Sequence, residues 1–108
     1  MQVFRTKTYA RSMRKLLADD EVERIENDIA DDPFAWPVVP GTGGVRKARA
    51  RRPGTGKSGG LRVIYYYVAE PRSLYFIVAY AKSRQTDLTT HDREAIRRFL
   101  AELRGPDA

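Results

Sequence analysis

The sequence has no cysteine, one histidine and one tryptophan in 108 residues. Without cysteine, disulfides, thiolate nucleophiles and sulfur-ligated zinc are excluded, and nothing calls for an oxidising compartment. With His91 as its sole imidazole, a two-histidine ribonuclease mechanism is excluded too, and no Ser/His/Asp set assembles. His91 stands where a helix should begin, which suits a capping or surface role. Long apolar runs are also missing: no stretch approaches the ~20 residues of a membrane-spanning helix. The N-terminus, MQVFRTKTYARSMRK, lacks the apolar centre of a signal peptide. A cytoplasmic protein with no membrane association is expected. The length suits one domain spanning residues 1–108.

Negative charge is absent from one long region. Eight of the 14 acidic residues lie within DDEVERIENDIADD at 19–32, and none occurs from Pro33 to Ala69. That same region carries Arg46, Lys47, Arg49, Arg51, Arg52, Lys57 and Arg62. A solvated face normally mixes signs. One sign over 37 positions, in a chain of net charge +6, favours a polyanion-binding surface instead. The carboxylates cluster on a helix that reads as a solvated face, so no metal site is expected.

The glycine cluster at 54–60, GTGKSGG, resembles half of a phosphate-binding loop. A full motif needs a glycine five residues before Gly56, where Arg51 stands, and a helix behind the Lys-Ser pair. The residues behind it are LRVIYYYV, β-branched and aromatic, which predict a strand. A strand offers no helix N-terminus to hold a phosphate. The cluster therefore reads as a mobile basic hairpin loop whose glycines allow close approach and positive φ.

The remaining pattern gives an order β-α-α-β-β-β-α. VFRTKTY is a short opening strand or arm, and a helix starts near Thr8 with Tyr9, Met13, Leu16 and Leu17 on one face. Asp19 and Asp20 are candidate caps for a second helix carrying Val22, Ile25 and Ile29, whose outer face is acidic. In the Pro/Gly segment after that helix, Phe34 and Trp36 are expected to plug the core. VRKARARR alternates, with Ala48 and Ala50 on one face and Lys47, Arg49 and Arg51 on the other. Residues 61–68 and 74–81 should pair as a central antiparallel hairpin. Thr89 or Thr90 caps a last helix with Ile96, Phe99, Leu100 and Leu103 on one face, expected to pack through Phe99 and Leu103 and to stop at Gly105-Pro106. The expected fold is a compact α+β domain: an N-terminal helical hairpin, a curved, mainly antiparallel sheet and a C-terminal helix.

By elimination, the available chemistry is an Arg/Lys/Tyr site. Such a set suits cleavage of RNA by attack of its own 2′-OH, which needs positive charge around the phosphate and groups to take and give protons. A plain binding patch has the same composition.

The segments PGTGGVRKARARRPGTGKSGGLRVIYYY and LYFIVAYAKSRQTDLT, succeeded by an amphipathic helix, resemble the RelE/HigB toxins of bacterial type II toxin–antitoxin systems. GTGG, RPGTGKSGG and RVIYY in this order look like the HigB branch, with Val45-Arg46-Lys47-Ala48 departing where that branch has leucines. The resemblance implies a ribosome-dependent mRNA endonuclease that needs no metal or cofactor. It also implies neutralisation by a helix-turn-helix, HigA-like antitoxin encoded beside it. The family's basic strand pair falls on Lys47 and Arg49, its central arginine on Arg62, and its basic residue after the last strand on Lys82. Lys57 is a branch feature, and Tyr80 shares a face with Lys82. The implied catalytic set is Arg62, Lys82, Lys57, Arg49 and Tyr80. Arg46, Lys47, Arg51, Arg52 and Arg84 are implied contacts to RNA or ribosome. Related toxins carry a tyrosine or histidine near the last helix, and this chain has no tyrosine after Tyr80. Two alternatives remain: a ParE-like gyrase inhibitor of the same fold, and a non-enzymatic RNA-binding module.

Overall fold

Thr6 organises the N-terminal third. The computed structural model, which describes residues 1–53 and 60–105, begins with strand β1 (Gln2–Arg5) and helix α1 (Lys7–Leu16). Thr6 lies between them in extended conformation, and its hydroxyl accepts from the Tyr9 amide as an N-cap should. Helix α1 thus starts one residue before the position expected from its apolar stripe. Tyr9 and Met13 are buried, as that stripe predicts.

Helix α2 (Asp19–Asp31) corrects the capping expectation. Ala18 is the cap residue, so no side chain caps from that position. Asp19, Asp20 and Glu21 instead fill the first turn, where carboxylates favour the positive end of the helix dipole. Glu21 also accepts from the Ala18 amide at 3.1 Å. The acidic face is interrupted as well. Glu26 is buried at 7% exposure and holds Arg5, with contacts down to 2.6 Å, and the Tyr9 hydroxyl at 2.9 Å. A buried carboxylate needs such partners.

Strands β2 (Arg46–Arg51), β3 (Gly60–Val68) and β4 (Ser73–Ala81) and helix α3 (Thr90–Arg104) complete the expected order. The sheet runs β1-β4-β3-β2. The β3–β4 pair lies at its centre and is antiparallel, as is β2–β3, whereas β1 joins β4 in parallel. The result is a mixed, mainly antiparallel sheet in an α+β fold.

Each face of the sheet carries a core. Leu61, Val63, Tyr65, Leu74 and Phe76 pack with the residues of α1 and α2. Ile64, Ile77, Val78 and Tyr80 pack on the other face with Leu88, Ile96 and Leu100. Strict alternation along β4 fails at one place. Ile64 pairs with Val78 but Tyr65 pairs with Phe76, so Ile77 is an extra residue, a β-bulge. Before it, the even-numbered Leu74 and Phe76 face α1 and α2; after it, the odd-numbered Ala79 and Ala81 do. The bulge thereby turns Tyr80 to the α3 face. Thr6 secures it, its amide donating to Phe76 O at 3.0 Å and its hydroxyl to Ile77 O at 2.7 Å.

Two packing expectations change. Trp36 packs against the α1/α2 core, but Phe34 is 61% exposed, edge-on to Tyr67 and under the Arg46 guanidinium. In α3 the buried residues are Ile96 and Leu100, while Phe99 is half-buried and Leu103 is 36% exposed at the β1 edge. Thr89 caps α3 by a reciprocal pair with Asp92, each bond 3.0 Å long. The C-terminal end leans on the GTGG segment. Gly43 has φ +85, a Cβ there would lie 3.0 Å from Leu100 Cδ1, and Arg104 donates to its carbonyl at 2.6 Å. Only glycine suits that conformation and that approach.

Candidate functional site

Three residues line up across the sheet. Arg49 of β2 pairs with Arg62 of β3, and Arg62 pairs with Tyr80 of β4. Direct cross-strand partners share a face, with Cβ atoms ~4.5–5.5 Å apart. Tyr80 belongs to this row because of the bulge at Ile77.

Tyr80 is 6% exposed, and its hydroxyl is buried without a hydrogen-bond partner, which sets it apart among the described residues. Burial pushes its pKa up. Nearby Asp87 and Asp92 push the same way, while Arg62 and Arg93 pull it down. The hydroxyl thus feels the charge of two carboxylates and two guanidinium groups. Asp87 bridges two cations: Lys47 Nζ lies 3.5 Å from Oδ1 and Arg93 Nη2 lies 3.8 Å from Oδ2. The Leu88 amide donates to Oδ1 at 2.7 Å. That bond first, then Lys47 and Arg93, holds the Asp87 carboxyl below its ordinary pKa.

The other residues implied by the sequence fall in distinct places. Arg62 folds along its own strand, Nη1 donating to Leu61 O at 3.2 Å and lying beside Gly60, where an added Cβ would approach it to 3.3 Å. The Arg49 guanidinium turns to the sheet edge, 5.8 Å over the Trp36 ring. Arg46 has a structural engagement, donating to the Trp36 and Phe34 carbonyls at 2.6 and 3.3 Å. Arg51 is exposed opposite Gly60. Lys82 is exposed just past β4, its amide donating to Gly60 O at 2.9 Å. Arg52 and Arg84 border a cleft of about 530 Å³ that wraps the end of β4, reaches Tyr80 and also contains Lys15. Lys57 and the rest of the glycine loop, 54–59, lie outside the described residues.

Sequence reasoning missed Asp87 and Arg93. Asp87 sits in SRQTDL, which reads as a connecting loop, and Arg93 sits in the first turn of the last helix, off its apolar face. The only available signal was the Thr89 cap, since a fixed helix start fixes where Arg93 emerges. An apolar groove of about 290 Å³ between Phe4, Tyr75, Phe99 and Leu103 lies elsewhere, at the β1 edge. It offers no comparable set of charges. No helix of the described residues is long and apolar enough to cross a membrane, and none of their His, Asp and Glu side chains form a group able to hold a metal ion.

Comparison with known proteins adds two findings. The sequence model of a family described as "RelE toxin of RelE / RelB toxin-antitoxin system" matches residues 1–105. The fold is similar to that of E. coli toxin RelE, solved as an arginine-to-alanine double mutant in the free state. The TM-score is 0.62 at 12% identity, covering 93% of this chain and 97% of that one.

Proposed function

The chain belongs to the RelE toxin family, and from that premise we propose that it is the toxin of a toxin–antitoxin pair that cuts mRNA on the ribosome. The observation that carries this reading is the Arg62–Tyr80 cross-strand pair, whose tyrosine hydroxyl is buried without a partner and feels the charges of Asp87, Arg62, Asp92 and Arg93. In the proposed reaction the 2′-oxygen gives up its proton and bonds to the adjacent phosphorus. The P–O5′ bond breaks, and the leaving 5′-oxygen takes a proton. Arg62 holds the non-bridging oxygens with its planar fork as charge builds up. Lys82, or Lys57 from the glycine loop, moves one proton, and the Tyr80 hydroxyl holds or moves another. Because the nucleophile is internal to the substrate and side chains meet the charge, the step needs neither metal nor cofactor.

Lys47, Arg49, Arg51, Arg52 and Arg84 supply phosphate contacts to message or ribosome. The partner is a helix-turn-helix, HigA-like antitoxin encoded next to the toxin. GTGG, RPGTGKSGG and RVIYY support the HigB branch of the family. Primer extension on cellular mRNA after brief expression tests the activity. Cuts in frame on translated messages are expected. Intact messages with supercoiling defects would point to a gyrase inhibitor of this fold, and intact messages with normal supercoiling to a binding module.

A further inference from the structure

Asp87 is an anion in a site proposed to bind an anion. Exposed ion pairs contribute little to stability, and Asp87 is 57% exposed at its side chain. Stability alone therefore gives it little reason to sit between Lys47 and Arg93, where it repels phosphate. Its geometry suggests another role. The carboxylate is fixed from behind by the Leu88 amide, and the Asp87 carbonyl accepts from Gln85 Nε2 at 3.0 Å. Gln85 also donates at 2.9 Å to Asp92, which caps α3. Asp87 is thus rigidly tied to the start of α3, and its two oxygens address cations from different elements, Lys47 of β2 and Arg93 of α3. Two carboxylate oxygens are spaced much as two non-bridging phosphate oxygens are. The Tyr80 hydroxyl, buried with no partner, is within electrostatic reach of Asp87 and Arg93. Such a group is rare in folded proteins and calls for an explanation, and a ligand oxygen arriving between the cations would supply its missing bond.

We propose that Asp87 is the positioning residue of this site, holding Lys47 and Arg93 beside the Tyr80 hydroxyl so that both cations meet the substrate phosphate. The proposal rests on the nuclease reading and adds Arg93 to the groups that touch the phosphate. Phosphate binding draws the two cations from the carboxylate, which has kept them extended and adjacent until then.

Cleavage of ribosome-bound mRNA by the full chain is the first test. Asp87→Asn should slow turnover ~10- to 100-fold, the scale of a small misplacement of reacting groups, with KM unchanged or lower and the melting temperature unchanged. Asp87→Glu should recover part of the rate. Asp87→Asn combined with Arg93→Gln should be no slower than Arg93→Gln alone, because the carboxylate acts through that arginine. Turnover at the parent rate in Asp87→Asn, losses that multiply, or a lower melting temperature that accounts for the loss would each overturn the proposal. The second test uses a 2′-O-methyl RNA oligonucleotide, which cannot be cut. Lys47→Gln and Arg93→Gln should each reduce the slope of log affinity against log salt by about one. Asp87→Asn should bind at least as tightly as the parent, and weaker binding or unchanged slopes would overturn the proposal. If the parent cuts nothing yet the slopes fall as stated, the nuclease reading fails while the phosphate-facing pair stands.

Discussion

Tyr80 sets stability against function within one side chain. Its hydroxyl is buried and unpartnered, a condition that costs about 1–3 kcal/mol. Tyr80→Phe is therefore expected to raise stability by about 1 kcal/mol and the melting temperature by a few degrees. It should also lower mRNA cleavage by about two orders of magnitude or more if the hydroxyl handles a proton. Calorimetry and a cleavage assay on the same preparation check both signs, and a destabilised variant would mean that the hydroxyl has a structural partner after all. Arg62 has the opposite profile. Its hydrogen bond to its neighbour's carbonyl is a small contribution, so Arg62→Ala should lose ~100- to 1,000-fold in cleavage while melting near the parent. Arg62→Lys should rescue only in part, because an ammonium lacks the planar fork. Arg62 and Tyr80 were legible as candidates through a local motif and through the face that Tyr80 shares with Lys82, though their pairing across the strands was not. Asp87 and Arg93 were not, because a loop carboxylate and a helix arginine acquire a site only when two distant elements are folded together.

At the scale of elements, the β-bulge is the feature that alternation cannot foretell. The β3–β4 hairpin was readable from two long apolar runs and a turn, but a one-residue slip leaves no mark in composition. Its anchor, Thr6, serves α1 and β4 at once. Thr6→Val should cost about 1–2 kcal/mol as a lost cap. It should also reduce cleavage by loosening the bulge that turns Tyr80, whereas Thr6→Ser should restore both. A variant with the stability loss and full activity would show that the bulge holds without its anchor. Glu26 is the second element-scale device, joining β1, α1 and α2 through Arg5 and Tyr9. Removing one partner of a buried ion pair costs about 3–5 kcal/mol. Because Arg5 is half exposed, chemical denaturation of Glu26→Ala should report the lower part of that range. Nothing in DDEVERIENDIADD distinguished this carboxylate from its solvated neighbours, since burial of one acid depends on an arginine 21 residues away. In α3 the apolar stripe did not tell its buried members, Ile96 and Leu100, from Leu103, which lines an open groove with Phe4 and Tyr75.

For the whole molecule, the tyrosines set an alkaline limit. Tyr9, Tyr65 and Tyr80 all have pKa values raised above the ordinary 10, in each case chiefly by burial. In the unfolded chain they ionise near pH 10, while in the folded chain they keep their protons. Above that pH the unfolded state binds fewer protons than the native one, so stability falls as pH rises. A melting temperature that declines steeply between about pH 9.5 and 11 is expected, with the phenolate absorbance change of these three tyrosines coinciding with unfolding rather than preceding it. Ionisation of these three before unfolding would contradict their burial. The segregation of charge was fully legible at this scale, because it is a property of sequence order. Its division in space was not, since the sheet sends Arg49 to an edge, Arg62 along its own strand beside Gly60 and Arg84 to a cleft around the end of β4.

Strand β2 is an open edge of the sheet, and along it run RKARAR. Residues 37–39 cover part of that edge, with Val38 opposite Arg46 and the Lys47 amide donating to the Pro37 carbonyl. The stretch through Arg49 and Arg51 has no strand beyond it among the described residues. Exposed edges invite pairing with other chains, and dense like charge is one way proteins prevent it. The cations proposed to grip RNA are therefore also gatekeepers against self-association. In a genetic screen for harmless alleles, neutral replacements at Arg49 and Arg51 would emerge by two routes, loss of RNA contact and loss of soluble protein. Such alleles are informative about catalysis only when the amount of soluble chain is measured beside growth.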